Sequence, residues 1–187
     1  MKRKLIVIGT SAGGVEALKT VLKDLDANEM TSIIIVTHMS TSVEKLVDIY
    51  RRLTGLKIKE AEDREKINDK GHIYFAPFGY HLSIEDNYTF SLAIEEKVNY
   101  VRPSIDVLLM AAAEVYKEGL TGIILTGANS DGAAGLKRIE ALGGKCIVQS
   151  PEEALVDMMP LSAVKEVENP LVMTLHEIND YIKRGDH

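Results

Sequence analysis

Residues 9–13, Gly-Thr-Ser-Ala-Gly, carry the clearest chemical signal in the sequence. They match the pattern G-x-S-x-G, in which a sharp turn between a strand and a helix exposes a serine oxygen. The glycines relieve crowding around such a turn, and the following helix aims free N–H groups and the positive end of its dipole at the serine. This pattern favours a nucleophilic role for Ser11.

The same turn has three other interpretations, two of which fail at a specific position. The dinucleotide fingerprint G-x-G-x-x-G needs glycine where Ser11 stands, so that a pyrophosphate can approach the backbone. The P-loop spacing fits Gly9 and Gly14 but needs lysine where Val15 stands. The third interpretation stays open, because a serine in a glycine-rich turn can simply cap a helix.

A serine hydroxyl is a weak nucleophile until a general base removes its proton, and the sequence has five histidines. His38 directly follows the strand-like run 32–37, so it would lie at the carboxyl ends of the strands, where ligands gather in open α/β sheets. His38 is therefore the predicted base. Two of the other histidines are expected to be structural and two to face solvent: His72 and His81, then His176 and His187.

The third group of such a site is a carboxylate that holds the imidazole in one tautomer. Asp131, in the stretch ILTGANSDGAAGL, follows another strand-like run by a short glycine-containing loop, although a charge at a helix N-terminus would explain it equally well. The order Ser…His…Asp differs from those of the α/β-hydrolases, chymotrypsin and subtilisin. No H-E-x-x-H or cysteine pair is present, so neither a metal nor another cofactor is expected.

The elements that would position these residues follow from apolar patterning. Continuous apolar, β-branched runs are typical of parallel strands buried on both faces. These runs are Leu5–Ile8, Ser32–Thr37, Leu120–Thr126 and Lys145–Gln149. Helix-period residues follow at Val15–Lys23, Val43–Leu53, Ser104–Lys117, Ala133–Leu142, Glu152–Met158 and Leu175–Lys183. Ser150-Pro151-Glu152-Glu153 is a strong helix start, and Thr174 to Glu177 has the spacing of a capping box.

The middle of the chain differs from both ends. Gly71–Ala76, Tyr80–Ile84 and Tyr88–Ala93 are short strand-like runs separated by turn residues, which predicts an antiparallel hairpin set at one edge of the sheet. The predicted fold class is therefore α/β, with a doubly wound, mostly parallel sheet, helices on both faces and an antiparallel hairpin at one edge.

Length and composition limit the class of protein. The 187 residues predict one domain, 1–187, and 45% apolar with 27% charged residues is typical of a globular chain. Apolar runs are too short for a membrane span or a signal peptide, and a net charge of −6 argues against nucleic acid. The single cysteine, Cys146, favours a reducing compartment, so we expect a cytoplasmic protein without membrane insertion.

Several stretches together resemble one family, the catalytic domain of the chemotaxis protein-glutamate methylesterases (CheB). The resemblance covers about residues 3–182 and is carried by VIGTSAGGVEAL, THMS, GHIYFAPFGYHLSI, VRPSIDVLL, GIILTGANSDGAAGLKRIEALGGKCIVQSPEEA and MMPLSAV. It implies a hydrolase that demethylates glutamate methyl esters on the cytoplasmic helices of methyl-accepting chemotaxis receptors, with deamidation of glutamines as a related activity.

The resemblance also assigns residues to roles. It implies Ser11 as nucleophile, His38 as base and Asp131 as orienting carboxylate, the three residues chosen above from their positions. It further implies backbone N–H groups of an oxyanion hole and a Met-Pro pair near the rim of the site. Those residues are Ala12 and Ala128, then Met159 and Pro160.

This sequence departs from the family pattern in three places. Ala128 stands where the family usually has methionine, and Thr37 and Ser40 stand where it often has glutamine and proline. The usual N-terminal receiver domain does not precede the first strand, which fits either an excised catalytic domain or a stand-alone protein served by a separate receiver domain. The altered residues keep two alternatives open: the same triad acting on a different esterified or amidated protein, or a catalytically silent receptor- or nucleotide-binding module.

Overall fold

The computed structural model describes residues 3–26, 31–38 and 42–185. Within these ranges the chain alternates strands and helices. The strands are β1 (Leu5–Thr10), β2 (Ile33–Thr37), β3 (Lys57–Glu60), β4 (His72–Phe75), β5 (His81–Ile84), β6 (Phe90–Ala93), β7 (Leu120–Ile124), β8 (Lys145–Gln149) and β9 (Leu171–Met173). The helices are α1 (Gly14–Val21), α2 (Val43–Tyr50), α3 (Ile105–Tyr116), α4 (Ala133–Ala141), α5 (Met158–Glu166) and α6 (Leu175–Arg184).

Seven of these strands form one parallel sheet in the order β3-β4-β2-β1-β7-β8-β9. Alternate side chains of each strand enter two different cores, because successive side chains of a strand point to opposite faces. Ile6 and Ile8 of β1 pack with α1, α2 and α6, whereas Leu5 and Val7 pack with α3, α4 and α5. The sheet is thus covered on both faces, as predicted.

The order of the strands creates a crevice at the carboxyl ends of β1 and β7. The chain leaves β1 towards β2 on one side of the sheet, whereas it leaves β7 towards β8 on the other. Connections that diverge from two adjacent strands leave a cleft between them, and this is where open α/β sheets bind ligands. Ser11 follows β1, His38 follows β2, and the loop that contains Asp131 follows β7.

The antiparallel hairpin predicted for the middle of the chain is present, but one of the three runs assigned to it belongs to the parallel sheet. Gly71–Ala76 contributes β4, which pairs in parallel with β2 and β3 instead of joining the hairpin. Tyr74 and Phe75 are fully buried in opposite cores, and burial on both faces is characteristic of an interior parallel strand. Strands β5 and β6 form the antiparallel hairpin, a separate two-stranded sheet that packs against α3.

The helix predicted over Glu152–Met158 does not form. Residues 151–153 make a turn, and the helix α5 begins only at Met158. Tertiary hydrogen bonds hold the intervening segment in a non-helical path: the Val156 N–H donates to Thr126 Oγ1 at 2.9 Å, and the Val156 carbonyl accepts from the Gly127 N–H at 3.0 Å. These bonds to the end of β7 outweigh a favourable local helix start.

Two short strands at the edges of the sheet, β3 and β9, are absent from the sequence prediction. Both are largely exposed and only three or four residues long, so they lack a buried apolar run. The capping box predicted before the last helix is confirmed, since the side chains of Thr174 and Glu177 each bond the other's backbone at the start of α6.

Candidate active site

The turn that carries Ser11 is tied to the end of β7. The Ser11 N–H and the Thr10 hydroxyl both donate to the Thr126 carbonyl, at 3.0 and 2.9 Å. Gly13 has a φ of 84°, which L side chains rarely adopt, and a Cβ at Gly14 would lie 2.5 Å from Thr10 Oγ1. The turn therefore needs glycine at both positions to bring Ser11 to the crevice.

The Ser11 side chain lies in the crevice, beside the loop that follows β7. Ser11 is half-buried, and no described residue makes a hydrogen bond to its hydroxyl. A Cβ at Gly127 would lie 3.0 Å from Ser11 Cβ, so the loop after β7 passes directly beside it. Its hydroxyl is free to meet a reactant.

His38 lies next to this turn because β1 and β2 pair in register up to Thr10 and Thr37. The His38 N–H continues that ladder by donating to the Thr10 carbonyl at 3.4 Å. The imidazole is 6% exposed, and its Nε2 lies 2.8 Å from Asp131 Oδ2. The sheet thus places the predicted base beside the predicted nucleophile and pairs it with the predicted carboxylate.

Asp131 is fully buried and receives hydrogen bonds on both carboxylate oxygens. Besides His38, the donors are two backbone N–H groups in the first turn of α3 and two side chains. They are Ile105 N at 2.6 Å, Asp106 N at 3.1 Å, Ser104 Oγ at 2.8 Å and Asn99 Nδ2 at 2.9 Å. Burial alone would raise the pKa of Asp131, but the hydrogen bonds from His38, Asn99 and these other donors hold it below its ordinary value. The carboxylate is fixed in its ionised form at a helix N-terminus.

A second buried carboxylate, Asp106, lies behind Asp131. Asn99 Nδ2 bridges the pair, 2.8 Å from Asp106 Oδ2 and 2.9 Å from Asp131 Oδ1. The other Asp106 oxygen accepts from the Gly135 N–H at 2.7 Å. Burial, and after it the charge of Asp131, raises the pKa of Asp106 in spite of these donors. The sequence analysis missed this layer: Asp106 lies in the stretch VRPSIDVLL, but nothing in that stretch predicts a contact with Asn99 or Asp131.

Asn129 contacts the opposite side of the imidazole. Its Nδ2 lies 3.2 Å from His38 Nδ1, and its Oδ1 accepts from the Asp131 N–H at 3.1 Å. Because a backbone N–H can only donate, this second bond fixes which end of the Asn129 amide is oxygen. The amide therefore donates to Nδ1, and the neutral ring carries its proton on Nε2, towards Asp131. The sequence analysis also missed Asn129.

Two backbone N–H groups flank Ser11 on either side of the crevice. Ala12 and Ala128 are both exposed, and neither N–H donates to any residue in the described part of the chain. The Ser11 carbonyl, in the same peptide group as the Ala12 N–H, accepts from the Gly14 N–H at 2.9 Å, which anchors that peptide. Free N–H groups of this kind can donate hydrogen bonds to an oxyanion that develops during a reaction.

The predicted rim residues Met159 and Pro160 are both buried rather than exposed. A Cβ at Gly127 would come within 2.5 Å of the Met159 methyl group, and the Met159 N–H donates to the Gly127 carbonyl at 3.0 Å. Met159 therefore packs against the loop that lies beside Ser11 and stabilises it. Two residues that depart from the family pattern, Thr37 and Ser40, also lie near this site in the sequence. Thr37 is buried at the end of β2, and Ser40 lies outside the described residues.

The remaining histidines differ in their surroundings. His81 is buried, with Nε2 2.9 Å from the Glu96 carbonyl and Nδ1 accepting from the Ser104 N–H at 3.3 Å, so it is structural as predicted. His72 Nδ1 lies 2.9 Å from the Lys70 carbonyl. His176 is exposed in the first turn of α6, and His187 lies outside the described residues.

An open cavity of about 370 Å³ borders the imidazole, and its lining includes Phe78, Lys97, Tyr100 and Arg102. In the described ranges no group of three or more His, Cys, Asp and Glu side chains is arranged to hold a metal ion. Nor does any helix there have the length and apolar character to cross a membrane.

Comparison with known families decides the family of this protein. The profile of the family described as CheB methylesterase matches residues 6–182. This chain belongs to the CheB methylesterase family. The resemblance seen in the sequence and the expected enzyme class, a hydrolase, are therefore confirmed.

Individual relatives agree with this assignment. A putative protein-glutamate methylesterase/protein-glutamine glutaminase of Leptospira interrogans is 46% identical over 187 residues, which is 100% of this chain and 96% of the relative. A protein-glutamate methylesterase/protein-glutamine glutaminase of Thermotoga maritima is 34% identical over 179 residues, 94% of this chain and 52% of the relative. The crystal structure of the Thermotoga maritima CheB methylesterase catalytic domain superposes with a TM-score of 0.91 at 32% identity, covering 98% of this chain and 99% of that one. The predicted fold class is confirmed.

Proposed function

We propose that this protein hydrolyses glutamate methyl esters in proteins, with Ser11, His38 and Asp131 as its catalytic residues. The observation that carries the proposal is the 2.8 Å contact between His38 Nε2 and the buried Asp131 carboxylate, directly beside the Ser11 turn. A buried carboxylate that holds a histidine next to a free serine is the arrangement that activates a serine towards acyl groups.

The reaction begins with attack of Ser11 Oγ on the ester carbonyl carbon. Asp131 occupies Nε2, so the His38 nitrogen that accepts the serine proton is Nδ1. The carbonyl oxygen becomes an oxyanion, which the Ala12 and Ala128 N–H groups stabilise. Removal of one such donor from another serine hydrolase costs about 2.7–4 kcal/mol of barrier.

The intermediate then collapses. The bond to the methoxy oxygen breaks, His38 returns its proton to that oxygen, and methanol leaves an acyl-serine behind. A water molecule gives a proton to His38 and attacks the acyl carbon, and Ser11 departs with that proton, which leaves a free glutamate side chain. Asp131 stays ionised throughout and stabilises the imidazolium.

The same steps release ammonia from a glutamine side chain, because only the leaving group differs. The names of the relatives from Leptospira interrogans and Thermotoga maritima include both activities. We therefore include glutamine deamidation in the proposal, with methyl-accepting chemotaxis receptors in the cytoplasm as the protein substrate. The cavity beside His38 offers room for residues that flank the esterified side chain.

Methanol release from membranes that contain a methylated receptor tests the proposal. Ser11→Ala should abolish it, whereas Ser130→Ala should leave it unchanged, since Ser130 is exposed in the Asp131 loop. A Ser11→Ala variant that still releases methanol at the wild-type rate would disprove the assignment of the nucleophile.

A second substrate class is favoured by one observation. Ala128 is exposed beside Ser11, and its methyl side chain is less bulky than the methionine usual in the family. The same three residues would then act on another esterified or amidated protein. Equal amounts of methylated receptor and other methylated proteins, offered together, separate the two: faster methanol release from the receptor supports the first proposal, and faster release from another protein supports the second.

A further inference from the structure

Asn129 forms a hydrogen bond with His38 Nδ1, the nitrogen that takes the serine proton in the proposed reaction. Its amide donates to His38 Nδ1 at 3.2 Å, while Asp131 holds Nε2 on the other side of the ring. Nδ1 of a neutral imidazole has a single lone pair. In this arrangement that lone pair is already engaged, and the Ser11 hydroxyl has no partner among the described residues.

The placement of the Asn129 amide is built into its loop. The Asp131 N–H donates to Asn129 Oδ1 at 3.1 Å, a local turn in which an asparagine side chain bonds the backbone two residues further on. The Asp131 carboxylate is itself fixed by the first turn of α3. The loop therefore holds Asn129 against the imidazole through the same residue that orients the ring.

We propose that Asn129 is a positioning residue that engages the base at Nδ1 and so restrains the nucleophile until a substrate displaces the amide. This inference rests on the proposed function. To lose its proton, Ser11 must take the Nδ1 lone pair, so the amide must first release it. Asn129 is half-buried, so an incoming substrate can reach its side chain. A small reagent that reaches Ser11 without displacing the amide then reacts slowly.

The acylation of Ser11 by a small activated ester, p-nitrophenyl acetate, tests this at mildly alkaline pH. Asn129→Ala should acylate about fivefold faster than wild type, the factor that corresponds to one neutral hydrogen bond of about 1 kcal/mol. The matched control Ser130→Ala changes the next residue, which is exposed, and should keep the wild-type rate. Ser11→Ala supplies the background.

A spectroscopic readout separates this role from a purely structural one. Nitrogen NMR of the imidazole should show the Nδ1 resonance moving in Asn129→Ala, because its hydrogen bond is lost, while Nε2 stays protonated towards Asp131. If Asn129→Ala does not fold, Asn129→Ser serves instead, since a serine can keep the turn but is too short to reach the ring.

The acylation rate and the Nδ1 resonance together decide the matter. Faster acylation together with a shifted Nδ1 resonance supports the inference, and a folded variant in which either stays at its wild-type value overturns it. Failure of the proposed function has a different signature: wild type and Ser11→Ala would then acylate equally slowly.

Discussion

The two loops that meet in the crevice are built in opposite ways. The loop after β7 buries Asp131 completely and surrounds its carboxylate with five hydrogen-bond donors. The turn after β1 leaves Ser11 half-exposed, its hydroxyl without a described partner. This difference fits the proposed reaction, in which the carboxylate keeps one position and one charge, whereas the serine exchanges a proton and forms a bond.

Removing the charge of the fixed loop should have the largest effect. Asp131→Asn puts an amide opposite His38 Nε2 and favours the wrong tautomer of the ring. We expect methanol release to fall about ten-thousand-fold, as in the corresponding substitution of another serine hydrolase. A variant within tenfold of wild type would mean that Asp131 serves only the N-terminus of α3. Circular dichroism of the variant controls for folding.

Loosening the fixed loop from behind should lower stability. Asn99→Gly removes the amide that bridges Asp131 and Asp106, while glycine suits the φ of 52° at this position. We expect the free energy of unfolding to fall by about 1–3 kcal/mol, the cost of leaving one buried acceptor, Asp106 Oδ2, without its donor, since Asp131 Oδ1 keeps two other bonds. Denaturant midpoints measure it.

A control for Asn99→Gly lies in the same turn. Tyr100→Ala changes a residue that is 94% exposed and should alter the midpoint far less. Equal midpoints for Asn99→Gly and wild type would show that the bridge contributes nothing to stability.

A substitution in the turn after β1 should lower the free energy of unfolding by a smaller amount. Gly13→Ala forces an L residue to a φ of 84°, with its new Cβ 3.0 Å from Leu155. The left-handed conformation alone costs about 1–2 kcal/mol. Thermal unfolding should detect this loss, and Ala12→Gly, next to it in the exposed part of the turn, is the matched control. A Gly13→Ala protein as stable as wild type would contradict the strain.

The smallest effect is the pH dependence of stability. The folded pKa of Asp131 lies below its ordinary value, so its contribution is fully present above the unfolded pKa of about 3.9 and is lost as the pH falls through the folded pKa. Each pKa unit of depression corresponds to about 1.4 kcal/mol. Denaturant midpoints of wild type should therefore fall more steeply in acid than those of Asp131→Asn. Parallel curves would contradict the assigned direction.

The residues that sequence analysis identified have local signals. Ser11 lies in a glycine motif, and His38 and Asp131 each follow an apolar run, so knowledge of parallel sheets predicts that they meet. Asn99 and Asp106 have no such signal. They reach Asp131 only through tertiary contacts across 32 and 25 residues of sequence.

The errors have the same origin. The helix predicted at Glu152 has every local feature of a helix start, yet Thr126 and Gly127 bond Val156 and hold the segment in a non-helical path. Asn129 is only two residues from Asp131, but its contact with His38 spans 91 residues. Local pattern predicts the buried strands of the sheet and where they end. Long-range hydrogen bonds decide the finer layers of the site.

The central position of β1 has a consequence for folding during synthesis on the ribosome. Its neighbours are β2, made soon afterwards, and β7, made more than a hundred residues later. A nascent chain therefore carries Ser11 and His38 long before it carries the strand that delivers Asp131. Closing so long a loop is among the slower events of folding. Hydrolytic activity should appear abruptly, when β7 docks against β1, and its onset would report the closing of the sheet.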